Sequence, residues 1–101
     1  MKVIVEFSLI PIGVGVSLSG YVAACERILR DTGLTFELHA NGTNVEGEWD
    51  EVFSAIKLCH ESLHEMGVPR ISTSVKTGTR TDREQTMADK VNSVQSRLNE
   101  Y

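Results

Sequence analysis

The sequence predicts an α+β domain with its elements in the order βαββαβ, followed by one more helix. Three observations predict this order. Alternating apolar residues mark four strands, apolar residues at helical spacing mark three helices, and Asn41-Gly42 between two alternating segments is typical of a tight hairpin. The 101 residues are expected to form a single domain, 1–101, and 41% hydrophobic with 24% charged residues is ordinary for a globular protein.

The first strand is predicted over Lys2 to Ile10, because apolar residues alternate there. The run from Pro11 to Gly15 then breaks the strand with a flexible loop, which can approach a ligand closely through its backbone. Its glycines lack the remainder of a phosphate-loop pattern. Ser17 or Ser19 is expected to cap the first helix, and Gly33 to end it in a left-handed conformation.

The hairpin follows, and its predicted turn is type I′ with Asn41 and Gly42 at the two central positions. Such a turn pairs Ala40 with Thr43, Leu38 with Val45 and Glu37 with Glu46. One face then carries Phe36, Leu38, Ala40, Thr43 and Val45, and the other carries Glu37, His39, Asn44 and Glu46.

A second helix is predicted from about Trp49-Asp50 to Gly67, and a fourth strand from Arg70 to Thr77. The last helix is expected after a capping box of Thr81 and Glu84. Its apolar stripe is Met87, Val91, Val94 and Leu98. A βαββαβ order is the ferredoxin-like plan, in which both main helices cover one face of a four-stranded antiparallel sheet.

The uncovered face of this sheet, called the open face below, is the first place where function is expected. Its residues are Ile4, Glu6, Ser8, Ile10, Glu37, His39, Asn44, Glu46, Ser72, Ser74 and Lys76. Ile4 and Ile10 among polar groups suggest that a second subunit or a ligand covers part of this face, although simple solvation is the alternative. Three carboxylates beside His39 and Asn44 suit a cationic or amino-bearing ligand.

Charge and composition exclude several partners. The net charge is −4 with scattered lysines and arginines, so nucleic acid is not expected as a partner. No apolar run approaches a membrane span, and Glu6 and Pro11 interrupt the only segment that resembles a signal peptide. Cys25 and Cys59 are predicted to be buried, reduced thiols, which favours a cytoplasmic protein.

Two clusters of reactive side chains also have simpler interpretations. His60-Glu61-Ser62-Leu63-His64 matches the zinc-protease pattern H-E-x-x-H, but Arg70 stands where the third ligand of the extended pattern is needed, so no metal is expected. Lys76, Arg80 and Arg83 surround the start of the last helix and can hold an anion or remain solvated charges. No pair of nucleophile and base is recognisable, so an enzyme is not expected.

Three segments together resemble the small thiamine-binding, YkoF-like family. They are Pro11-Ile12-Gly13, the run from Gly42 to Val52 with the string G-T-x-x-E-G-x-W-D-x-V, and Arg80-Thr81-Asp82. The resemblance covers nearly the whole chain. It implies a ferredoxin-like protein that forms dimers and often tetramers and binds thiamine or a related pyrimidine without catalysis or cofactor, as a cytosolic carrier or sensor.

The resemblance and the open face together define the candidate site. The matching strings carry over the Pro11 loop, Gly42, Thr43, Glu46, Trp49-Asp50 and Arg80. The candidate ligand-binding residues are Glu6, Ser8, Pro11, Ile12, Gly13, His39, Thr43, Asn44, Glu46 and Trp49. A carboxylate can neutralise a thiazolium cation or accept from an amino group. An aromatic ring over the thiazolium would have to come from Trp49 or from a partner subunit. The alternative is a regulatory or structural oligomer that binds an anionic effector at Arg80 and Arg83.

Overall fold

The computed structural model describes residues 1–100 and contains seven elements. They are β1 (Lys2–Ile12), α1 (Ser19–Thr32), β2 (Thr35–His39), β3 (Gly42–Glu48), α2 (Trp49–Glu65), β4 (Arg70–Gly78) and α3 (Met87–Leu98). The strands form one antiparallel sheet in the order β2-β3-β1-β4. This order, with α1 and α2 packed against each other and the sheet, confirms the predicted ferredoxin-like fold.

The core lies between the sheet and the helix pair. Val3, Val5 and Phe7 of β1 are buried, whereas Glu6 and Ile10 are exposed, as the alternation predicted. The buried residues that complete the core are Ala24, Cys25, Leu29, Val45, Val52, Ala55, Ile56, Cys59, Leu63 and Val68. Leu38 on β2 and Val75 on β4 were expected in the core but remain 55% and 43% exposed. The helices therefore do not cover the whole sheet.

The end of β1 differs from the prediction. Pro11 and Ile12 belong to the strand and pair with Ile71 and Arg70, so the loop begins at Gly13 rather than at Pro11. β1 pairs with β3 only as far as Phe7. Pro11 therefore lies where β1 has a single neighbour, and an unpaired strand side is where a proline without an N–H is tolerated.

The hairpin keeps its predicted faces but not its turn. His39 pairs with Gly42, Leu38 with Thr43 and Glu37 with Asn44, so the turn residues are Ala40 and Asn41. No non-glycine residue in the range 1–100 has positive φ, which rules out type I′. The pairing is displaced by two positions, and side chains alternate with a period of two, so the faces are unchanged.

Gly42 is required for a different reason. A Cβ atom at this position would lie 2.8 Å from the backbone carbonyl oxygen of Phe7. The glycine thus allows β3 to begin tightly against β1, at the point where their pairing starts. The Asn-Gly pair correctly predicted a hairpin, but the position of the turn predicted from it was wrong by one residue.

The helix starts also correct two predictions. Leu18 is the N-cap of α1, and no side chain caps that helix, so neither Ser17 nor Ser19 has the expected role. The N-cap of α3 is Thr86, five residues after the predicted Thr81, and Thr86 and Asp89 form a reciprocal capping box there. Both Thr81 and Thr86 precede an acidic residue at the required spacing, so the sequence pattern alone did not separate them. Gly33, at φ 77°, ends α1 as predicted.

Candidate functional site

A cavity of about 240 Å³ lies where β1 extends beyond the hairpin. Residues 8–12 of β1 pair with β4 but have no strand on their other side. Ser8, Leu9 and Ile10 line the cavity from this side, the hairpin turn and α1 line the rest, and Leu63 of α2 completes the wall. The unequal lengths of β1 and the hairpin therefore create the concave site.

The cavity is mainly apolar and has a few polar groups, which is typical of small-molecule sites. The apolar residues in its lining are Phe7, Leu9, Ile10, Tyr21, Val22, Cys25, Leu38, Ala40 and Leu63. The lining residues with polar side chains are Ser8, Glu26, His39, Asn41 and Thr43. Ser8, His39 and Thr43 were predicted from the sequence, and the fold brings these three together in one cavity.

Glu26 of α1 is the most unusual of the polar groups. Its Oε2 accepts a hydrogen bond of 3.1 Å from the hydroxyl of Thr43, which is only 4% exposed. Its Oε1 is shielded from solvent and has no hydrogen-bond partner, and no other buried side-chain nitrogen or oxygen atom of residues 1–100 lacks one. Burial raises the pKa of Glu26 and outweighs the opposing effect of the Thr43 hydrogen bond.

His39 joins the cavity to the open face. Its Nε2 lies 3.1 Å from Oδ1 of Asn44 and 3.4 Å from Oε2 of Glu6. The backbone N–H of Asn41 donates to Nδ1 at 3.3 Å, so the hydrogen bonds assign the ring proton to Nε2. Glu6, His39 and Asn44, three of the predicted site residues, thus lie together beside the cavity, with His39 hydrogen-bonded to Asn44 and Glu6 close to the same ring nitrogen.

Glu46 has a structural contact that the sequence did not reveal. Its Oε2 accepts from the backbone N–H of Met87, the first residue of α3, at 2.7 Å. A carboxylate at the N-terminus of a helix is favoured by the unpaired N–H groups and the helix dipole. Glu46 therefore connects β3 to α3 and faces the region around residues 78–86 instead of the cavity.

The other predicted ligand residues lie at two further places. Pro11 and Ile12 continue β1 beyond the cavity wall, and Gly13 follows with φ 86°. Trp49 begins α2, stacks on Phe53 with ring centroids 4.6 Å apart, and donates its backbone N–H to the carbonyl of Met1. Trp49 thus lies at the opposite end of β1 from the cavity. None of these four residues lines the cavity, and their roles stay predictions.

The predicted anion site forms a wide, open cleft with the strand ends. Arg80 is already engaged, because its guanidinium donates to both carboxylate oxygens of Asp82 and to Oε1 of Gln85. This pairing lowers the pKa of Asp82 to about 2. Lys76 lies on β4 opposite Glu6. An anion at Arg80 would have to displace Asp82.

Charges of both signs line this cleft. The basic side chains are Lys2, Arg80, Arg83 and Lys90, and the acidic ones are Glu46, Glu48, Asp82 and Glu84. Acidic and basic side chains are equal in number, and the N-terminal ammonium group of Met1 is paired with Glu48, so any local excess of positive charge is small. The cleft therefore gives little electrostatic support for an anionic effector.

The H-E-x-x-H histidines have structural hydrogen bonds. Nε2 of His60 lies 2.6 Å from the Thr73 hydroxyl, and Nδ1 of His64 donates to the Val68 carbonyl at 2.8 Å. Burial and the neighbouring His64 lower the pKa of His60. Within residues 1–100, no group of three His, Cys, Asp or Glu side chains is arranged to hold a metal ion. These histidines connect α2 to the strand that follows it.

Glu26 is the cavity residue that sequence reasoning missed. Its spacing was a usable signal, because Val22, Glu26 and Leu29 stand at i, i+4 and i+7 on the apolar side of α1. A carboxylate at such a position either extends past the core to solvent or is partly buried with a hydrogen-bond partner. Cys25, also in the cavity wall, was correctly predicted as a buried free thiol.

Comparison with known proteins identifies the relatives of this chain. The model of a family described as thiamine-binding protein matches residues 5–95. A UPF0045 protein of Synechocystis sp. is 56% identical over 97% of this chain and 81% of its own length. A UPF0045 protein of Eremothecium gossypii is 41% identical over 100% of this chain and 97% of its own length.

Two solved structures extend the comparison. A hypothetical protein of Methanocaldococcus jannaschii is 35% identical and superposes with a TM-score of 0.86 over 93% of this chain and 96% of its own. A Thermotoga maritima protein, provisionally named a thiamine biosynthesis/salvage protein, has a TM-score of 0.79 at 21% identity over 93% and 99% of the two chains. At that identity the second likeness establishes the fold alone. No helix within residues 1–100 is both long and apolar enough to cross a membrane.

Proposed function

This chain belongs to the thiamine-binding protein family, and we propose that it binds thiamine or a related pyrimidine without catalysing a reaction. The observation that carries the proposal is the cavity between β1, α1 and the hairpin, with the carboxyl group of Glu26 in its wall. Ligand pockets for drug-sized molecules measure roughly 300–1,000 Å³. At about 240 Å³, this cavity suits one ring better than a whole thiamine molecule.

The side chains around the cavity support binding rather than catalysis. Cys59 and Cys25 are buried free thiols, and Cys59 donates to the backbone carbonyl of Cys25. The contact with Cys25 and burial raise the pKa of Cys59, whereas the contact with Cys59 lowers the pKa of Cys25 against the effect of burial. Burial of both thiols, rather than their pKa values, disfavours attack on a substrate. His39 is held by Asn41, Asn44 and Glu6 and does not contact a hydroxyl or thiol that it could activate. A carrier or sensor in the cytoplasm, with no nucleic acid or membrane as partner, is the role we propose.

We further propose that the protein works as a dimer or tetramer. α3 buries none of its side chains, and Val91, Val94 and Leu98 are 58%, 59% and 63% exposed along its predicted apolar stripe. Ile10 and Ile12 of β1 are exposed as well. A small domain gains core by covering such surfaces with a second subunit.

Calorimetric titration with thiamine and with 4-amino-5-hydroxymethyl-2-methylpyrimidine tests the binding proposal. Thr43→Val keeps the side-chain volume and removes the hydroxyl that contacts Glu26, so we expect binding to weaken by about tenfold. Thr35→Val, on the exposed side of β2, is the matched control and leaves affinity unchanged. Absence of heat and of thermal stabilisation at millimolar concentrations of both ligands would contradict the proposal.

A further inference from the structure

We infer that Cys25 and Cys59 form a peroxide-reactive pair that closes reversibly into a disulfide between α1 and α2. The inference goes beyond the proposed function and does not depend on it, because no ligand has to occupy the cavity. Both residues are buried free thiols, and the fold places them in the same buried cluster. Three features of the structure lead to this assignment.

The first feature is the contact between the two cysteines. They are 34 residues apart in the sequence, and the packing of α1 on α2 brings them together. The thiol of Cys59 donates to the backbone carbonyl of Cys25 at 3.8 Å, so its sulfur already lies against the residue with which it would bond. A disulfide requires a sulfur–sulfur distance of about 2.05 Å. Rotation of the two side chains and a small approach of the helices would close the remaining distance.

The second feature is the unequal exposure of the two cysteines. Cys25 is one of the residues that line the cavity and keeps 4% of its surface exposed, whereas Cys59 is completely buried. A water molecule needs a cavity of only about 10–15 Å³, and this cavity measures about 240 Å³. Hydrogen peroxide is hardly larger than water and can therefore reach Cys25. Larger electrophiles remain excluded by the burial of both thiols.

The third feature is the opposite tendency of the two thiols to ionise. The contact with Cys59 lowers the pKa of Cys25 against the effects of burial and of the Glu26 charge, which both raise it. The contact with Cys25, burial and the Glu26 charge all raise the pKa of Cys59. The thiolate is the form that attacks a peroxide. Cys25 is thus the attacking thiol and Cys59 the resolving one, which is typical of redox-sensitive pairs.

The reaction has two steps. In the first, the Cys25 thiolate attacks one oxygen of hydrogen peroxide, so that a sulfur–oxygen bond forms and the oxygen–oxygen bond breaks. The departing hydroxide takes up the thiol proton and leaves as water. In the second, the Cys59 sulfur attacks the sulfur of the Cys25 sulfenic acid, and a second water leaves with the Cys59 proton. The two sulfurs together lose two electrons, which the peroxide gains, and a dithiol reductant reverses the bond.

The first test treats the unmodified protein with hydrogen peroxide, counts its thiols after denaturation and measures its intact mass without reductant. We expect both thiols to disappear together, each chain to lose two hydrogen atoms, and dithiothreitol to restore both thiols. The double substitution of Cys25→Ala with Cys59→Ala measures the background from methionine oxidation. Persistence of both thiols, loss of one alone, oxygen added to cysteine, or a disulfide between two chains would overturn the inference.

The second test separates the roles of the two thiols. In Cys59→Ala, Cys25 should still react with peroxide and be captured as a sulfenic acid by dimedone. In Cys25→Ala, Cys59 should react at least about tenfold more slowly, because it is completely buried. Alanine suits both positions, since a buried thiol behaves as a small hydrophobic group. Equal rates in the two variants would contradict the assignment of Cys25 as the attacking thiol.

The third test needs no variant and determines whether the folded protein reacts. Urea below the unfolding transition steeply raises the unfolded population, yet we expect the rate of disulfide formation to change by less than about twofold. Glutathione disulfide is too bulky for the cavity and should oxidise the unfolded protein but not the folded one. A peroxide rate that follows the unfolded population, or oxidation of the folded protein by glutathione disulfide, would overturn access through the cavity.

Discussion

Glu26 carries a cost in the folded protein. A buried carboxyl oxygen without a hydrogen-bond partner is unfavourable, and ionising the group adds to this cost. The effect of this residue on stability can be measured directly.

We predict that the stability of the protein depends on pH through Glu26. The folded-state pKa of this group lies above the unfolded one, so its contribution is greatest below the ordinary glutamate pKa and is lost as pH rises through the folded pKa. The other titratable residues that line the same cavity are Tyr21 and Cys25 on α1 and His39 in the hairpin. Urea denaturation from about pH 4 to pH 8 should show a loss that Glu26→Gln removes. Identical pH profiles for the two proteins would disprove this assignment.

Gly42 tests the close contact between β3 and β1. Gly42→Ala places a methyl group against the Phe7 carbonyl oxygen, which cannot move without disturbing the central strand. We expect a loss of about 1–3 kcal/mol in the free energy of unfolding. Gly20→Ala, inside α1 with open space around it, is the control and should be neutral or stabilising by up to about 1 kcal/mol. Denaturant unfolding of both variants measures the difference.

At the scale of the elements, α3 is held at its N-terminus rather than along its length. Thr86 and Asp89 cap each other, and Glu46 accepts from the N–H of Met87. The helix buries no side chain within the described chain. Its start is therefore well defined by hydrogen bonds while its apolar stripe remains without cover, which is the arrangement expected of an element that packs on a partner.

The two candidate capping boxes give opposite predictions. Thr86→Ala should destabilise the first turn of α3 by about 1 kcal/mol, because the N–H of Asp89 loses its acceptor. Thr81→Ala should have little effect, since α3 begins after it. Amide hydrogen exchange in α3 measures both changes. Equal effects of the two substitutions would mean that the helix starts earlier than the structure has it.

At the scale of the whole molecule, the exposed stripe of α3 predicts assembly. We expect sedimentation to find a dimer or tetramer, and the double substitution of Val91→Ser with Val94→Ser to shift it towards monomer, because the apolar surface available for burial is removed. Asn92→Ser with Gln95→Ser, on the same helix, is the control and should leave the assembly unchanged. A protein that is monomeric before any substitution would contradict the proposal.

Much of the architecture could be predicted from local patterns. The alternation of apolar residues in β1 and their helical spacing in α2 each reflect the burial of one face of the element. Such a pattern can be read from the sequence alone. The hairpin faces were predicted correctly even though its register was not, because a displacement of two positions keeps every side chain on its side. Helix starts were less predictable, since two boxes with the same spacing compete before α3.

The cavity could be predicted only in part. Ser8, His39 and Thr43 were selected from the sequence for other reasons, as members of an open face or of a family string, and the fold places all three around one cavity. Glu46 and Trp49 were selected in the same way and lie elsewhere. Glu26 was overlooked because its partner, Thr43, is distant along the chain and becomes adjacent only when α1 packs on the hairpin.

The sequence by itself determined the order of elements, the faces of the strands, the family strings and the burial of Cys25 and Cys59. The tertiary structure alone decided that β1 extends beyond the hairpin, that a cavity fills the resulting gap, and that Glu26 points a partnerless oxygen into a shielded place. The physical reason is the distance along the chain over which each feature is determined. Periodicity is set by neighbours a few residues apart, whereas a cavity depends on the relative lengths and packing of segments that the chain connects only through the fold.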